Sequence, residues 1–175
     1  MRFLNTHLLP SSHEIPVREE RRICEDQHGF ILYHQVMAKS TDDQIAISLI
    51  QETCARFPEV TSASMDKGFH SPDNQAALAK IIPFPVVPKK GKCTAAERER
   101  ESDPEFIDLR RRHSAVESAI NALEAHGLDI CRDHGIDGFK RYVALAVVGR
   151  NLHRLGAILL AQEAARERRR RERAA

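Results

Sequence analysis

The chain has 175 residues, of which 42% are hydrophobic and 30% charged, and its formal net charge is +2 at pH 7. This length suits a single domain that can bury a core, and the composition is ordinary for a soluble globular protein. The longest apolar runs are shorter than a membrane span, and no apolar signal segment opens the chain. We therefore expect a cytoplasmic protein that does not bind membranes.

The predicted elements begin after an irregular leader over residues 1–20, where prolines interrupt any periodicity. Residues 21–37 are typical of a β-hairpin with its turn near Gly29. A helix should then begin at Asp42, with capping and acidic residues in its first turn, and should end before Pro58. The front of the chain is therefore predicted to be β-β-α.

A short strand is predicted over residues 61–65, followed by a helix that opens at Pro72 and a strand over residues 84–87. Residues 89–104 are predicted to be a linker or mobile loop. A long helix over 105–126 and a final helix from Phe139 follow, with an Arg-rich tail over 161–175. This order of elements predicts an α/β domain with a mixed sheet and flanking helices.

Basic residues are concentrated in clusters, a distribution that suits a phosphate backbone as partner. The alternative is that these runs are solvated faces or, at the C-terminus, a disordered tail. The clusters comprise Lys89, Lys90, Lys92, Arg110, Arg111, Arg112, Arg166, Arg168, Arg169, Arg170, Arg171 and Arg173.

Asp66 is the first candidate site residue, because it lies at the carboxyl end of a predicted strand, where α/β sheets usually place their chemistry. Its carboxylate could bind a hard divalent cation, and Gly68 in the turn after it permits close approach of a ligand. The alternative role for Asp66 is to cap the following turn.

Glu117 is the second candidate, on the long helix predicted over 105–126. It shares a polar stripe with His113 and Asn121, and the alternative is an ordinary solvated helix face. An Asp at a strand end together with a Glu on a long helix could hold the two cations of a phosphoryl-transfer site. Scattered histidines and cysteines and the lack of a P-loop motif argue against a zinc site or nucleotide hydrolysis.

Four segments resemble DDE-type insertion-sequence transposases, specifically the ISNCY-like group. They are Glu25-Asp26-Gln27-His28-Gly29-Phe30-Ile31-Leu32, Asp66-Lys67-Gly68-Phe69-His70-Ser71, Arg112-His113-Ser114-Ala115-Val116-Glu117-Ser118-Ala119-Ile120-Asn121, and Gly138-Phe139-Lys140-Arg141-Tyr142-Val143 through Arg150-Asn151-Leu152. The second and third motifs are specific as a pair, and the resemblance covers residues 22–160.

The resemblance implies an RNase H-like domain over residues 21–160, in which Asp66 and Glu117 are the second and third acidic residues of the catalytic triad. It implies Mg²⁺ or Mn²⁺ as cofactor, transposon-end and target DNA as substrates, and a possible homo-oligomer. We further expect Lys67, Arg112, His113 and Asn121 to contact DNA phosphates or, for the last three, to orient Glu117.

The chain departs from the family pattern at the first catalytic Asp, which should lie on an early strand. We expect that residue upstream of the chain, so that the domain is incomplete at its N-terminus, and Asp26 is the one early candidate beside a strand. The alternative function is a catalytically inactive remnant that acts at most as a basic DNA-binding fragment.

Overall fold

The computed structural model describes residues 2–7, 20–37, 40–113 and 135–174. Within these ranges the chain forms five strands, which are β1 Arg2–His7, β2 Glu20–Glu25, β3 Ile31–Met37, β4 Ser62–Ser64 and β5 Phe84–Val86. The helices are α1 Asp42–Arg56, α2 Pro72–Ile81, α3 Ala95–Glu101, α4 Pro104–His113 and α5 Gly135–Ala174. The fold is mixed α/β, as the sequence predicts.

The strands form one mixed sheet in the order β3-β2-β1-β4-β5. The first three strands are antiparallel to their neighbours, whereas β1 pairs with β4, and β4 with β5, in parallel. The carboxyl ends of β1, β4 and β5 therefore lie on the same edge of the sheet, which we call the carboxyl edge. The hairpin between β2 and β3 lies at the opposite edge.

Alternating side chains of β2 divide the core into two layers, as the pleat of a strand requires. Cys24 packs with Leu49, Phe69 and other buried side chains of α1, α2 and β4 on one face of the sheet. Ile23 packs on the other face with Phe139 and further side chains of α5. The sheet is thus covered by α1 and α2 on one side and by the first part of α5 on the other.

Several helix boundaries follow from local sequence. Thr41 and Gln44 form a capping box at the start of α1, and Ser71 caps α2, whose first residue is Pro72. Both helices begin where the sequence predicts, and α1 ends at Arg56, two residues before Pro58.

The structure differs from the sequence prediction in three places. Residues 2–7, expected in an irregular leader, form the central strand β1. Residues 95–101, expected in a linker, form α3, which begins with a capping box between Thr94 and Glu97. The Arg-rich segment expected as a separate tail continues α5 to Ala174, and the second half of the predicted helix over 105–126 lies outside the described residues.

Candidate functional site

The carboxyl edge of the sheet carries Asp66, two residues after the end of β4. Its backbone is extended, and the short 3₁₀ turn Lys67–Phe69 begins directly after it, with the Phe69 N–H donating to the Asp66 carbonyl at 3.1 Å. The Asp66 side chain is half-buried, while Lys67 is exposed. The structure thus confirms that Asp66 lies at a strand end, in the position where α/β sheets usually bind ligands.

A buried ion pair supports the turn that follows Asp66. Arg22 on β2 is 1% exposed, and its Nε and Nη2 both contact the Oδ1 of Asp42, the first residue of α1. The second oxygen of Asp42 lies against Gly68, where an added Cβ would be only 2.5 Å from Oδ2. One carboxylate therefore contacts a buried guanidinium and the backbone of the turn after Asp66.

The sequence predicts Asp42 only as a favourable acidic residue at a helix N-terminus, and Arg22 is not among the predicted site residues. The signal available was the alternation along β2, since Arg22 shares the face of Cys24, which is fully buried. A charged side chain at such a position needs a partner of opposite charge. Asp42 provides that partner, and it is recruited from a helix that is distant in sequence.

The loop after β5 brings lysines to the same edge. Lys89 is tied to α3, because its Nζ lies 2.7 Å from Glu97 Oε1 and its backbone N–H donates to Glu101 Oε1 at 2.6 Å. The Lys89 side chain holds the pKa of Glu97 at about 2, assisted by the backbone N–H of Thr94. Lys90 and Lys92, farther along the loop, are exposed.

His70 follows the short turn after Asp66 and is partly buried. Its pKa lies below the ordinary value because burial disfavours the imidazolium, and the cations of Lys89 and Arg100 lower it further. Burial also lowers the pKa of His34 on β3. The carboxylate of Glu97 opposes the shift at His70, so burial is the main reason that the pKa of His70 is low.

The remaining predicted site residues lie on or after α4. Arg112 is exposed on α4 and forms a 2.6 Å ion pair with Asp108, one turn earlier, and His113 is the last residue of the helix. Glu117 and Asn121 lie outside the described residues. The approach of the Asp66 and Glu117 carboxylates to roughly 4–8 Å, the range that two bridged cations allow, therefore stays a prediction.

Asp26 occupies the wrong edge of the sheet to join Asp66. It follows β2, which runs antiparallel to β1, so it lies at the opposite edge, beside Thr61 and Ser62 where β4 begins. Its Oδ1 accepts the backbone N–H groups of His28 at 2.8 Å and Phe30 at 2.9 Å, which closes the hairpin turn. The hypothesis that Asp26 is the first metal ligand is therefore wrong.

The central strand offers no replacement for that ligand. β1 lies next to β4, with Arg2 in register with Ser64, yet the segment Arg2–His7 contains neither Asp nor Glu. Among the described residues, the structure contains no group of three or more His, Cys, Asp or Glu side chains that could hold a metal ion. Asp66 alone represents the expected triad in the described part of the chain.

Comparisons of the chain with protein-family models, with curated proteins and with solved structures found no match.

Proposed function

We propose that the chain is an RNase H-like domain of the DDE transposase type, which cleaves and joins DNA strands with the help of Mg²⁺ or Mn²⁺. The observation that carries the proposal is the position of Asp66 at the carboxyl end of β4, in a sheet of the order β3-β2-β1-β4-β5. Three antiparallel strands followed by two parallel strands, with helices after the third and fourth, form a mixed sheet with flanking helices, the general architecture that the resemblance implies. The topology thus supports the fold that the sequence motifs imply.

The donor set agrees in part with the proposed cofactor. Mg²⁺ and Mn²⁺ prefer carboxylate oxygens, and Asp66 supplies one such group at the carboxyl edge. Asp42 is engaged with the buried Arg22, so we assign it the role of positioning the turn. The proposal requires Glu117 as the second ligand, and the bound ions would stabilise the attacking and leaving oxygens at the phosphorus.

Positive charge around Asp66 supports DNA as the substrate. Lys67 follows Asp66 directly, and Lys90 and Lys92 project from the loop after β5, all of them exposed. These ammonium groups would neutralise phosphates flanking the scissile bond. We propose that Arg112, His113 and Asn121 hold phosphates on the side of Glu117; Arg112 would have to exchange its surface ion pair with Asp108 for a phosphate.

A second candidate function is a catalytically inactive DNA-binding remnant of such an enzyme. It is favoured by the sequence of β1, which lies beside β4, the strand before Asp66, and carries no carboxylate. Two metal ions bound by Asp66 and Glu117 alone would lack a bridging ligand from the central strand. The exposed lysines and the Arg-rich end of α5 would still bind phosphates.

A nicking assay on supercoiled plasmid DNA separates the two candidates. The purified chain is incubated with Mg²⁺, Mn²⁺ or EDTA, together with the variants Asp66→Asn and Glu117→Gln. The matched control is Asp73→Asn, an exposed carboxylate in the first turn of α2. The enzyme hypothesis predicts metal-dependent nicking that both site variants lose and the control retains.

The opposite results are equally specific. Plasmid binding without nicking in either metal would support the inactive remnant. Nicking that persists in Asp66→Asn would contradict the proposed site. Absence of both nicking and binding would contradict both candidate functions.

A further inference from the structure

An exposed apolar stripe runs along α5 on the side away from the sheet. Its members, which we call the seam, are Leu145, Val148, Leu152, Leu155 and Leu159, and they are 71%, 55%, 62%, 43% and 54% exposed. At about 100° per residue, they lie across the helix from Phe139, Val143 and Val147, which pack on the sheet. The fold therefore leaves this face of α5 without a partner among the described residues.

The spacing of the seam is that of a coiled coil. Its residues follow one another at intervals of three, four, three and four, so they keep to the same side of the helix and form a seven-residue repeat. Gly149 and Gly156 flank the seam one repeat apart, and the space where a Cβ would stand is open at both. A second helix could therefore pack closely along about 20 Å of α5.

The same helix is long and apolar enough to cross a membrane by length and composition, and 11% of its most apolar window is buried. However, Arg150, Asn151 and Arg154 interrupt the middle of that window, where charge in a bilayer is costly. Asn151 and Arg154 also hydrogen-bond the β2–β3 hairpin, an arrangement that insertion would disrupt. An apolar stripe with polar residues opposite is typical of a helix that packs on another helix.

We propose that the seam binds the seam of a second copy of this chain, with the two α5 helices antiparallel. Leu160 adds to the exposed surface, and the six side chains offer on the order of 600 Å² per copy, approaching the roughly 800 Å² per partner of a standard interface. A patch of this size also reaches the upper limit of what monomers usually expose. This inference does not depend on the proposed function.

Charge selects the antiparallel orientation. The segment 163–173 carries six arginines against three glutamates, so parallel helices would bring two strongly basic segments together. In the antiparallel pair, Val148 lies opposite Leu159 of the second copy and Leu152 opposite Leu155 of the second copy. In this register the segment 163–173 faces the start of α5 in the second copy, where residues 135–144 carry one aspartate against one lysine and one arginine, so the repulsion is weaker than between two 163–173 segments.

Analytical ultracentrifugation of the full chain tests the interface. We expect a dimer for the parent chain and a dissociation constant raised roughly 30-fold or more by Leu152→Glu, as for a central hot-spot residue. Ala157→Glu is the matched control, because it places the same charge on an exposed position of α5 outside the seam. Circular dichroism spectra of both variants should match the parent, since Leu152 is not part of the buried core.

Cysteine cross-linking tests the orientation. Val148→Cys and Leu159→Cys chains, one of them carrying a mass tag, should form a disulfide when mixed and little when oxidised separately, with the parent chain as the background control. Cross-linking of each variant with itself would overturn the antiparallel arrangement. A parent chain that stays monomeric at all concentrations, or that binds phosphatidylcholine vesicles through Leu152 instead of dimerising, would overturn the interface.

Discussion

The side-chain amide of Asn151 makes two hydrogen bonds with the backbone of Ile31, 120 residues earlier. The Ile31 N–H donates to Asn151 Oδ1 at 2.9 Å, and Asn151 Nδ2 donates to the Ile31 carbonyl at 2.9 Å. β3 is an edge strand, so the backbone groups of Ile31 that point away from β2 have no neighbouring strand among the described residues. One amide on α5 thereby substitutes for a strand and fixes the helix to the sheet edge.

Asn151→Ala should therefore lower the free energy of unfolding by about 1–3 kcal/mol, because two partly buried backbone groups lose their partners. Urea denaturation followed by circular dichroism measures the change. Gln51→Ala, which removes an exposed amide from α1, should change stability by less than about 0.5 kcal/mol. Equal effects of the two substitutions would contradict the assigned role of Asn151.

Local signals in the sequence were sufficient for the elements around Asp66. Short-range patterns predict where these elements begin and end. They are the acidic start of α1, the proline at the start of α2, and the short β-rich segments before and after α2. These elements place Asp66 at a strand end, so half of the candidate site could be predicted without long-range information.

The missed features depend on distant contacts or on weaker local signals. β1 has no simple alternation, and it becomes a strand by pairing with β2 on one side and β4 on the other. Thr94 and Glu97 have the spacing of a capping box, which is a local signal for the start of α3. The lysines, glycine and prolines just before them favour a loop, so the sequence predicts a linker there. The run of arginines at the end of α5 is typical of a disordered basic tail. Glutamates between the arginines reduce the repulsion among the guanidinium groups, as Glu172 does at 4.0 Å from Arg168, and the helix continues.

The ion pair of Arg22 and Asp42 should be far more important for stability than pairs at the surface. We expect Asp42→Ala to destabilise the fold by about 3–5 kcal/mol, because it leaves the buried guanidinium without its carboxylate. The exposed pair of Arg56 and Glu52, at 3.7 Å, provides the comparison, and Glu52→Ala should cost less than about 1 kcal/mol. Chemical denaturation of the two variants side by side would show whether the predicted difference exists.

Gly68→Ala should disturb the same ion pair from the other side. The new methyl group would stand 2.5 Å from Asp42 Oδ2, so the carboxylate or the turn must move, at a cost of about 1–3 kcal/mol. In an Asp42→Ala background the clash disappears, and the added cost of Gly68→Ala should fall well below that range. Gly156→Ala, where the Cβ position is open, is the control and should not destabilise the isolated domain. Strict additivity of the two substitutions would contradict the contact.

Stability should fall as the pH decreases below about 6.5. Burial lowers the pKa of both His34 and His70 below 6.5 in the folded chain, so the unfolded chain takes up protons first. The stability that these neutral imidazoles contribute is present above 6.5 and is lost as the pH falls through their folded pKa values. Urea midpoints measured from pH 8 to pH 5 should decline less steeply for His34→Gln than for the parent chain.

His28→Gln is the control for that titration, because His28 is exposed in the hairpin turn. The comparison between the two histidine variants separates the effect of His34 from the effect of replacing any histidine. The pH dependence measured for His34→Gln is subtracted from that of the parent chain, which removes the contribution of the carboxylates. If the remaining stability rises between pH 6.5 and pH 5, the histidine is charged in the folded chain and the prediction is wrong.

DNA binding should depend steeply on salt, and the helical end of α5 should account for part of that dependence. The exposed arginines 168–171 lie on consecutive positions of the helix, so only about half of them can face one DNA backbone at a time. Replacing all four by Gln should reduce the slope of log affinity against log salt by about 2, because each neutralised phosphate contributes roughly 0.9 to the slope. Fluorescence anisotropy with a labelled duplex measures the slope, and Gln substitutions at Arg98 and Lys80, exposed on other helices, test whether any loss of charge has the same effect. An unchanged slope in the four-residue variant would mean that arginines 168–171 do not bind phosphates, and the DNA-binding surface would then lie at the lysines around Asp66 and at the residues proposed on the side of Glu117.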